Sequence, residues 1–80
     1  MQSVIYSHFN ELRRKKSLSE NRDISVRAVA RETNMTLGTV QRVANSETVG
    51  SVRIQTLEAL CRYFGVGVGE LIEYREDEVK

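Results

Sequence analysis

The chain has 80 residues, of which 40% are hydrophobic and 29% are charged, and its formal net charge is +1. This length suits one small domain, and the apolar fraction is enough for one core, so neither a second domain nor wholesale disorder is expected. No stretch approaches the roughly 18 apolar residues of a membrane span, and no signal-peptide pattern opens the chain. The single cysteine, Cys61, excludes an internal disulfide and fits a cytoplasmic protein.

The charge is unevenly distributed. Residues 13–45 hold eight basic side chains against three acidic ones, a net charge of +5, whereas residues 46–80 hold four against seven, a net charge of −3. Opposite signs in the two halves indicate one face that meets an anion. Solvated helix faces that happen to be uneven explain the same pattern equally well.

The first part of the chain has a helical pattern. Ile5, Phe9 and Leu12 are spaced i, i+4, i+7, which predicts a helix over residues 4–16. Residues 17–23 have no hydrophobic period and are rich in turn formers, so they predict a loop.

A short second helix should follow, with Ser25 as its N-cap and Val26, Val29 and Ala30 on its inner face. Asn34, a residue that tolerates the left-handed conformation, should end it.

A third helix is predicted immediately afterwards, over residues 36–44. Thr36 is a suitable N-cap, and Val40 and Val43 supply the inward face. Only about three residues then separate the second and third helices, which is the spacing of a helix-turn-helix.

The rest of the chain also looks helical. The stripe of the fourth helix consists of Ile54, Leu57, Leu60, Cys61 and Phe64. Gly65 should end this helix, and a last short helix should carry Leu71 and Ile72. The prediction is an all-α fold, a compact five-helix bundle over residues 1–74, followed by a charged tail over 75–80 that should fray.

Enzymatic chemistry is not indicated. His8 and Cys61 share no spacing motif, His8 is expected at the boundary of the core, and Cys61 is expected inside it. Structural metal sites need about four ligands of suitable type, and these are lacking. We therefore expect no catalytic residue, no metal and no cofactor.

The third helix presents a distinctive outward face. With Val40 and Val43 turned inward, the 100° step per residue defines the outward positions. They are Leu37, Gly38, Gln41 and Arg42. Arginine can pair with guanine, glutamine with adenine, and an apolar side chain can contact a thymine methyl group, so this face predicts base reading in a major groove. For Leu37, packing against the edge of the core remains an equal alternative.

Basic residues outside the third helix have two interpretations. Arg27 and Arg31 share a face of the second helix, where phosphate contact and simple solvation are both reasonable. The run RRKK over residues 13–16 should close the first helix, where the helix dipole alone explains it at least as well as DNA does.

Two long segments together resemble the phage Cro and repressor type of helix-turn-helix, the Xre family. These are ISVRAVARETNMTLGTVQRVAN over 24–45 and VRIQTLEALCRYFGVGVGELIEY over 52–74. The similarity rests on Ala30, on the cap Thr36, on residues 39–43 and on the closing helices, and it spans about residues 4–74.

This resemblance implies a five-helix DNA-binding domain, usually dimeric on a two-fold-related operator. It assigns base reading to Leu37, Gly38, Gln41 and Arg42, and phosphate contacts to Thr36, Thr39 and Asn45. Three features depart from the family pattern. Val26 replaces a common glutamine, Asn34 replaces the usual turn glycine, and a longer loop before the second helix carries Arg22, which could reach the DNA backbone instead.

The expected function is that of a small transcriptional regulator, a repressor that binds double-stranded DNA and excludes polymerase. We expect a homodimer joined through Leu71, Ile72 and Tyr74, and no membrane association. Two alternatives remain: an antitoxin that also binds a toxin, and a protein–protein adaptor that kept the fold without binding DNA. A hydrolase or metal enzyme ranks last.

Overall fold

The computed structural model describes the backbone of residues 2–45 and 48–77 and the side chains of residues 5–45 and 48–75. The elements in chain order are strand β1 (Gln2–Ser7), helices α1 (Phe9–Glu20), α2 (Val26–Thr33), α3 (Leu37–Ala44), α4 (Ile54–Phe64) and α5 (Val68–Leu71), and strand β2 (Ile72–Asp77). A 3-10 helix, Val49–Ser51, connects α3 to α4. Within the described ranges, the five predicted helices are therefore confirmed.

One hydrophobic core joins all five helices. Its fully buried large side chains are Phe9, Ile24, Val29, Val40, Val43, Leu60 and Leu71. Phe9 meets Phe64 edge to face, with ring centroids 5.5 Å apart, which links α1 to α4. The inward faces predicted for α2 and α3 are the ones that the core buries.

The all-α prediction is wrong because the two ends of the described chain form a sheet. β1 and β2 pair antiparallel, with Ile5 opposite Tyr74 and Ser7 opposite Ile72. Residues 4–6 are β-branched or aromatic and favour a strand, but this preference counts only when a partner strand is available. Ile72 is therefore in β2 and not in the last helix, and the charged tail is paired as far as Asp77. Residues 78–80 lie outside the described part.

The first helix begins later and ends later than predicted. His8 N donates to Leu71 O at 2.8 Å, which fixes the chain at the point where β1 ends and α1 begins. The helix continues to Glu20, supported by an ion pair of 2.7 Å between Lys16 and Glu20, and Asn21 ends it at φ 53. Residues 13–16 consequently lie in the middle of α1, so the prediction that they close it is wrong.

The local signals for the other helix ends are confirmed. The Ser25 hydroxyl accepts from Ala28 N, and the Thr36 hydroxyl accepts from Thr39 N. Asn34 and Gly65 have φ of 58 and 70, the left-handed conformation expected at the ends of α2 and α4. In the stripe of α4, Leu57 and Leu60 are buried, but Ile54 is 76% exposed, since the first turn of the helix extends past the core.

Candidate nucleic-acid interface

The turn between α2 and α3 is held by backbone geometry. Asn34 adopts the left-handed conformation, and Met35 N then donates to Ala30 O at 2.9 Å. The hydroxyl of Thr36 accepts from Thr39 N at 3.2 Å and so starts the next helix. Because the inner faces of both helices are buried in one core, the angle between α2 and α3 is set by packing.

The outward face of α3 has the predicted composition. Gly38, Gln41 and Arg42 are exposed, whereas Leu37 and Thr39 are half-buried. A Cβ added at Gly38 would meet nothing within 4 Å, so packing inside the protein does not require a glycine there. Leu37 is half-buried, so its exposure does not decide between reading a base and packing against the edge of the core.

The chain leaves α3 through a compact turn. Asn45 O accepts from Thr48 N and from Val49 N, both at 3.0 Å, and the Thr48 hydroxyl donates to Arg42 O at 2.8 Å. These bonds bring the start of α4 next to the end of α3.

A shallow hollow of about 290 Å³ lies at this junction. It is lined by Thr39, Arg42, Ser51, Val52, Arg53 and Thr56. Arg53 is the N-cap of α4, which has no side-chain cap and no acidic residue in its first turn. The N-terminus of α4 carries a partial positive charge, and the side chains of Arg42 and Arg53 add two full ones. Because these charges repel one another, an anion bound in the hollow would be stabilised by all three.

Sequence reasoning missed Arg53, Ser51 and Thr56 as members of the site. The signal that could have identified them is the arginine placed directly before the hydrophobic stripe of α4. A cation at a helix N-terminus opposes the dipole, so an arginine there calls for an anion as explanation.

Four arginines lie on α2, on α3 and at the N-terminus of α4. No carboxylate of residues 5–45 or 48–75 forms an ion pair with the guanidinium groups of Arg27, Arg31, Arg42 or Arg53. Two of them, Arg42 and Arg53, line the hollow, and Arg27 is exposed on α2. Exposed cations that form no ion pair attract a polyanion.

Comparison with known families agrees with this geometry. A family model described as a Cro/C1-type helix-turn-helix DNA-binding domain matches residues 10–77. The chain belongs to this family. The match includes α2, α3 and the hollow, and it leaves out β1. The searches of curated proteins and of solved structures gave no significant match.

Membership establishes the general function. The family consists of DNA-binding domains that regulate transcription and are not enzymes. None of the helices in the described ranges is long and apolar enough to cross a membrane.

Arg22 occupies a different place in this Cro/C1-type domain from the other arginines. Its guanidinium forms two bonds of 2.6 and 2.7 Å with the carboxylate of Glu32, and a third of 2.9 Å with Glu20. The hydroxyl of Tyr63 donates to the same Glu32 carboxylate at 2.7 Å. We call Arg22, Glu32 and Tyr63 the Glu32 clamp, because they join the loop before α2 to α2 and α4.

The Glu32 clamp changes the acidity of its members. Hydrogen bonds from Arg22 and then from Tyr63 lower the pKa of Glu32 to about 2. Burial, followed by the bond to Glu32, raises the pKa of Tyr63 to about 12. Both shifts favour the state in which Glu32 is charged and Tyr63 is neutral, so the clamp stays intact through the neutral range.

Two basic residues of α1 are also used inside the domain. Arg13 donates to Ile24 O at 2.8 Å, which ties α1 to the segment before α2. Lys16 lies over the ring of Tyr63, with its nitrogen 4.6 Å from the ring centroid. Arg14 and Lys15 are exposed. The run of residues 13–16 is therefore partly structural.

His8 and Cys61, the two side chains considered for catalysis, make contacts within the fold. His8 Nε2 lies 2.8 Å from a Glu73 oxygen, and this contact raises the pKa of His8. Cys61 is half-buried, and burial raises the pKa of its thiol, which disfavours a reactive thiolate. No group of three potential metal-binding side chains occurs in the part of the chain that the structure describes.

Proposed function

We propose that this chain is a sequence-specific regulator that inserts α3 into the major groove of double-stranded DNA. The observation that carries the proposal is the exposed face of α3, where Gln41 and Arg42 are both exposed and Arg42 also lines a hollow suited to an anion. Bidentate pairing of these two side chains with purine edges would read sequence. Gly38 would allow close approach, and Leu37 would contact a thymine methyl group.

Phosphate contacts on either side of α3 would hold it in register. Thr36, Thr39 and Asn45 are the proposed polar contacts on α3 itself, and Arg27 and Arg31 are the proposed cationic contacts on α2. We add Arg53, whose position in the hollow beside Arg42 suits a phosphate of the backbone. Arg22 is the least supported contact, since it would have to give up two bonds to Glu32.

A repressor acting in the cytoplasm is the proposed biological role. A small domain that occupies its operator blocks polymerase without further chemistry. The antitoxin and adaptor alternatives gain no support from a particular feature of the described residues, so we do not propose them.

We further propose that the chain acts as a homodimer, since one recognition helix reads too few base pairs for specificity in a genome. The surface expected for this contact needs correction. Leu71 is fully buried, and Ile72 packs against the core. Of the three expected residues, Tyr74 alone has a large exposed fraction, 60%. The reason is that Leu71 belongs to the core and Ile72 to a strand.

Selection from random duplexes tests the proposed function. The protein should enrich a motif with two related halves. Changing Gln41 and Arg42 together to alanine should remove or alter the preference inside each half. Arg62→Ala, on an exposed side chain of α4, is the matched control and should leave the motif unchanged. Failure of the wild-type protein to enrich any motif would contradict sequence-specific binding.

A further inference from the structure

The sheet of this protein is a ribbon of two strands. Within the described residues, β1 and β2 pair with each other and no third strand joins them. Each strand therefore directs half of its backbone N–H and C=O groups away from its partner. An isolated two-stranded ribbon is marginally stable in water, and further strands or a packed face are what stabilise it.

One face of the ribbon packs on the helices only in part. The pairs Ile5–Tyr74 and Ser7–Ile72 share this inner face, and Ile5 and Ile72 contact the core. Tyr74, directly opposite Ile5, is nevertheless 60% exposed. The molecule measures 43 Å along its longest axis and 23 by 18 Å across, so it is elongated. The inner face of the ribbon is therefore covered by the core at Ile5 and Ile72 and is largely exposed at Tyr74.

The two outer edges differ in charge. The β1 sequence, QSVIYS, contains no charged residue, whereas the β2 sequence, IEYRED, contains three acidic residues and one basic residue. Charged residues are a common protection of exposed strand edges against pairing. Two copies joined along β2 would bring together two strands that each carry a net charge of −2. Two copies joined along β1 would not.

We propose that β1 pairs antiparallel with β1 of a second copy, forming a four-stranded sheet of order β2–β1–β1–β2. The inference rests on the homodimer proposed above and specifies its surface. Strand addition of this kind uses backbone hydrogen bonds for affinity.

Symmetry supports this arrangement. An antiparallel pair of identical strands has a two-fold axis perpendicular to the sheet. The inner faces of both ribbons, and the helices that pack on them, then lie on the same side of the four-stranded sheet. A dimer that binds one face of a duplex needs this arrangement. Residues directly opposite each other in an antiparallel pair direct their side chains to the same face. In two identical strands this condition holds only when one residue lies opposite its own copy, and near the middle of β1 that residue is Val4 or Ile5. β1 lies outside residues 10–77, the region that the family model matches.

Amide hydrogen exchange on the unmodified protein tests the inference. Exchange is measured over a range of protein concentration of about a hundredfold. Alternate amides of β1 should become protected as the dimer forms. The outward amides of β2 provide the internal control and should not change. Sedimentation on the same samples reports the oligomeric state.

The outcomes separate the two proposals. A dimer with new protection in β1 supports the interface. A dimer with new protection in β2, or in neither strand, overturns the interface and keeps the homodimer. A monomer at every concentration overturns both, and leaves DNA binding to be judged by the duplex selection.

Two proline variants give an independent test. Adjacent residues direct their amides to opposite edges, so only one of Ser3→Pro and Val4→Pro removes an outward donor. When dilute, that variant should melt at the same temperature as the wild-type protein. The dissociation constant of its dimer should rise about tenfold or more, because both copies lack the donor and the dimer therefore loses two backbone hydrogen bonds between the β1 strands. Dimers as tight as wild type from both variants would overturn the proposal.

Discussion

At the scale of single residues, Arg42 and Arg27 are alike in exposure but differ in position. Arg42 lies late on α3 beside the hollow, and Arg27 lies on α2. We expect Arg42→Ala to weaken specific binding by about 1–3 kcal/mol and to relax the preference at one base position. Arg27→Ala should weaken binding to specific and random duplexes equally. Binding titrations on both kinds of duplex distinguish these effects, and equal losses for Arg42→Ala would assign it to a phosphate.

The Glu32 clamp predicts a characteristic acid sensitivity. The pKa of Glu32 is about 2 in the folded protein, below its ordinary value of 4.5. A lowered carboxylate pKa means that its contribution to stability is present above pH 4.5 and is lost as the pH falls from 4.5 toward 2. We therefore expect Glu32→Gln to be less stable than wild type at neutral pH, with the difference shrinking across this window.

Urea unfolding at a series of pH values measures this difference. Glu58→Gln is the matched control, because Glu58 forms only an exposed, 3.7 Å ion pair with Arg62. Its stability should follow that of wild type at every pH. A constant difference between Glu32→Gln and wild type from neutral pH down to about pH 2 would contradict the clamp. The clamp also predicts a loss of stability above pH 10, where Tyr63 begins to ionise in the unfolded chain but not in the folded one, whose tyrosine pKa is about 12.

At the scale of elements, α4 contributes Leu57 and Leu60 to the hydrophobic core. Leu60 is fully buried, whereas Ile54, the first residue of the same helix, is 76% exposed. We expect Leu60→Ala to reduce the free energy of unfolding by about 2–5 kcal/mol, because it removes packed atoms and leaves a cavity. Ile54→Ala should change it by less than about 0.5 kcal/mol. Denaturant titrations of both variants check this, and comparable losses would mean that the position of α4 against the core is wrong.

The helix-turn-helix could be predicted from sequence because its signals are local. Ser25, Asn34 and Thr36 each act on a backbone group within five positions along the chain, and each performs the predicted role. The strands could not be predicted in the same way. Their stability depends on a partner at the other end of the chain, as the contact between His8 and Glu73, 65 positions apart, illustrates.

At the scale of the whole molecule, the arrangement of charges predicts a salt dependence. Arg27, Arg31, Arg42 and Arg53 are the candidates for neutralising phosphates, whereas Arg22, Arg13 and Lys16 are engaged within the domain. Four phosphate contacts correspond to a slope of about −4 per protomer in log K against log salt concentration. Fluorescence anisotropy on the selected duplex measures it. A slope near zero would contradict an electrostatic contribution from this surface.

The candidate site was predictable in part for the same reason. The outward face of α3 follows from its helical period and from two buried valines, so Gln41 and Arg42 could be placed from sequence. Arg53 could not, because the hollow exists only where the turn after α3 brings α4 beside it. The engagement of Arg22 by Glu32 was equally invisible, since it joins a loop to the far end of α2.

The sequence by itself determined the helix-turn-helix, which is the part of this protein that we propose to contact DNA. Capping residues, a left-handed asparagine and a 3.6-residue period act over one or two helical turns, so they specify α2, the turn and α3 without the rest of the chain. Only the tertiary structure decided that the ends form a ribbon, that Leu71 is core and that Ile54 is surface. These outcomes depend on the free energy of contacts between distant segments, which a local pattern does not contain.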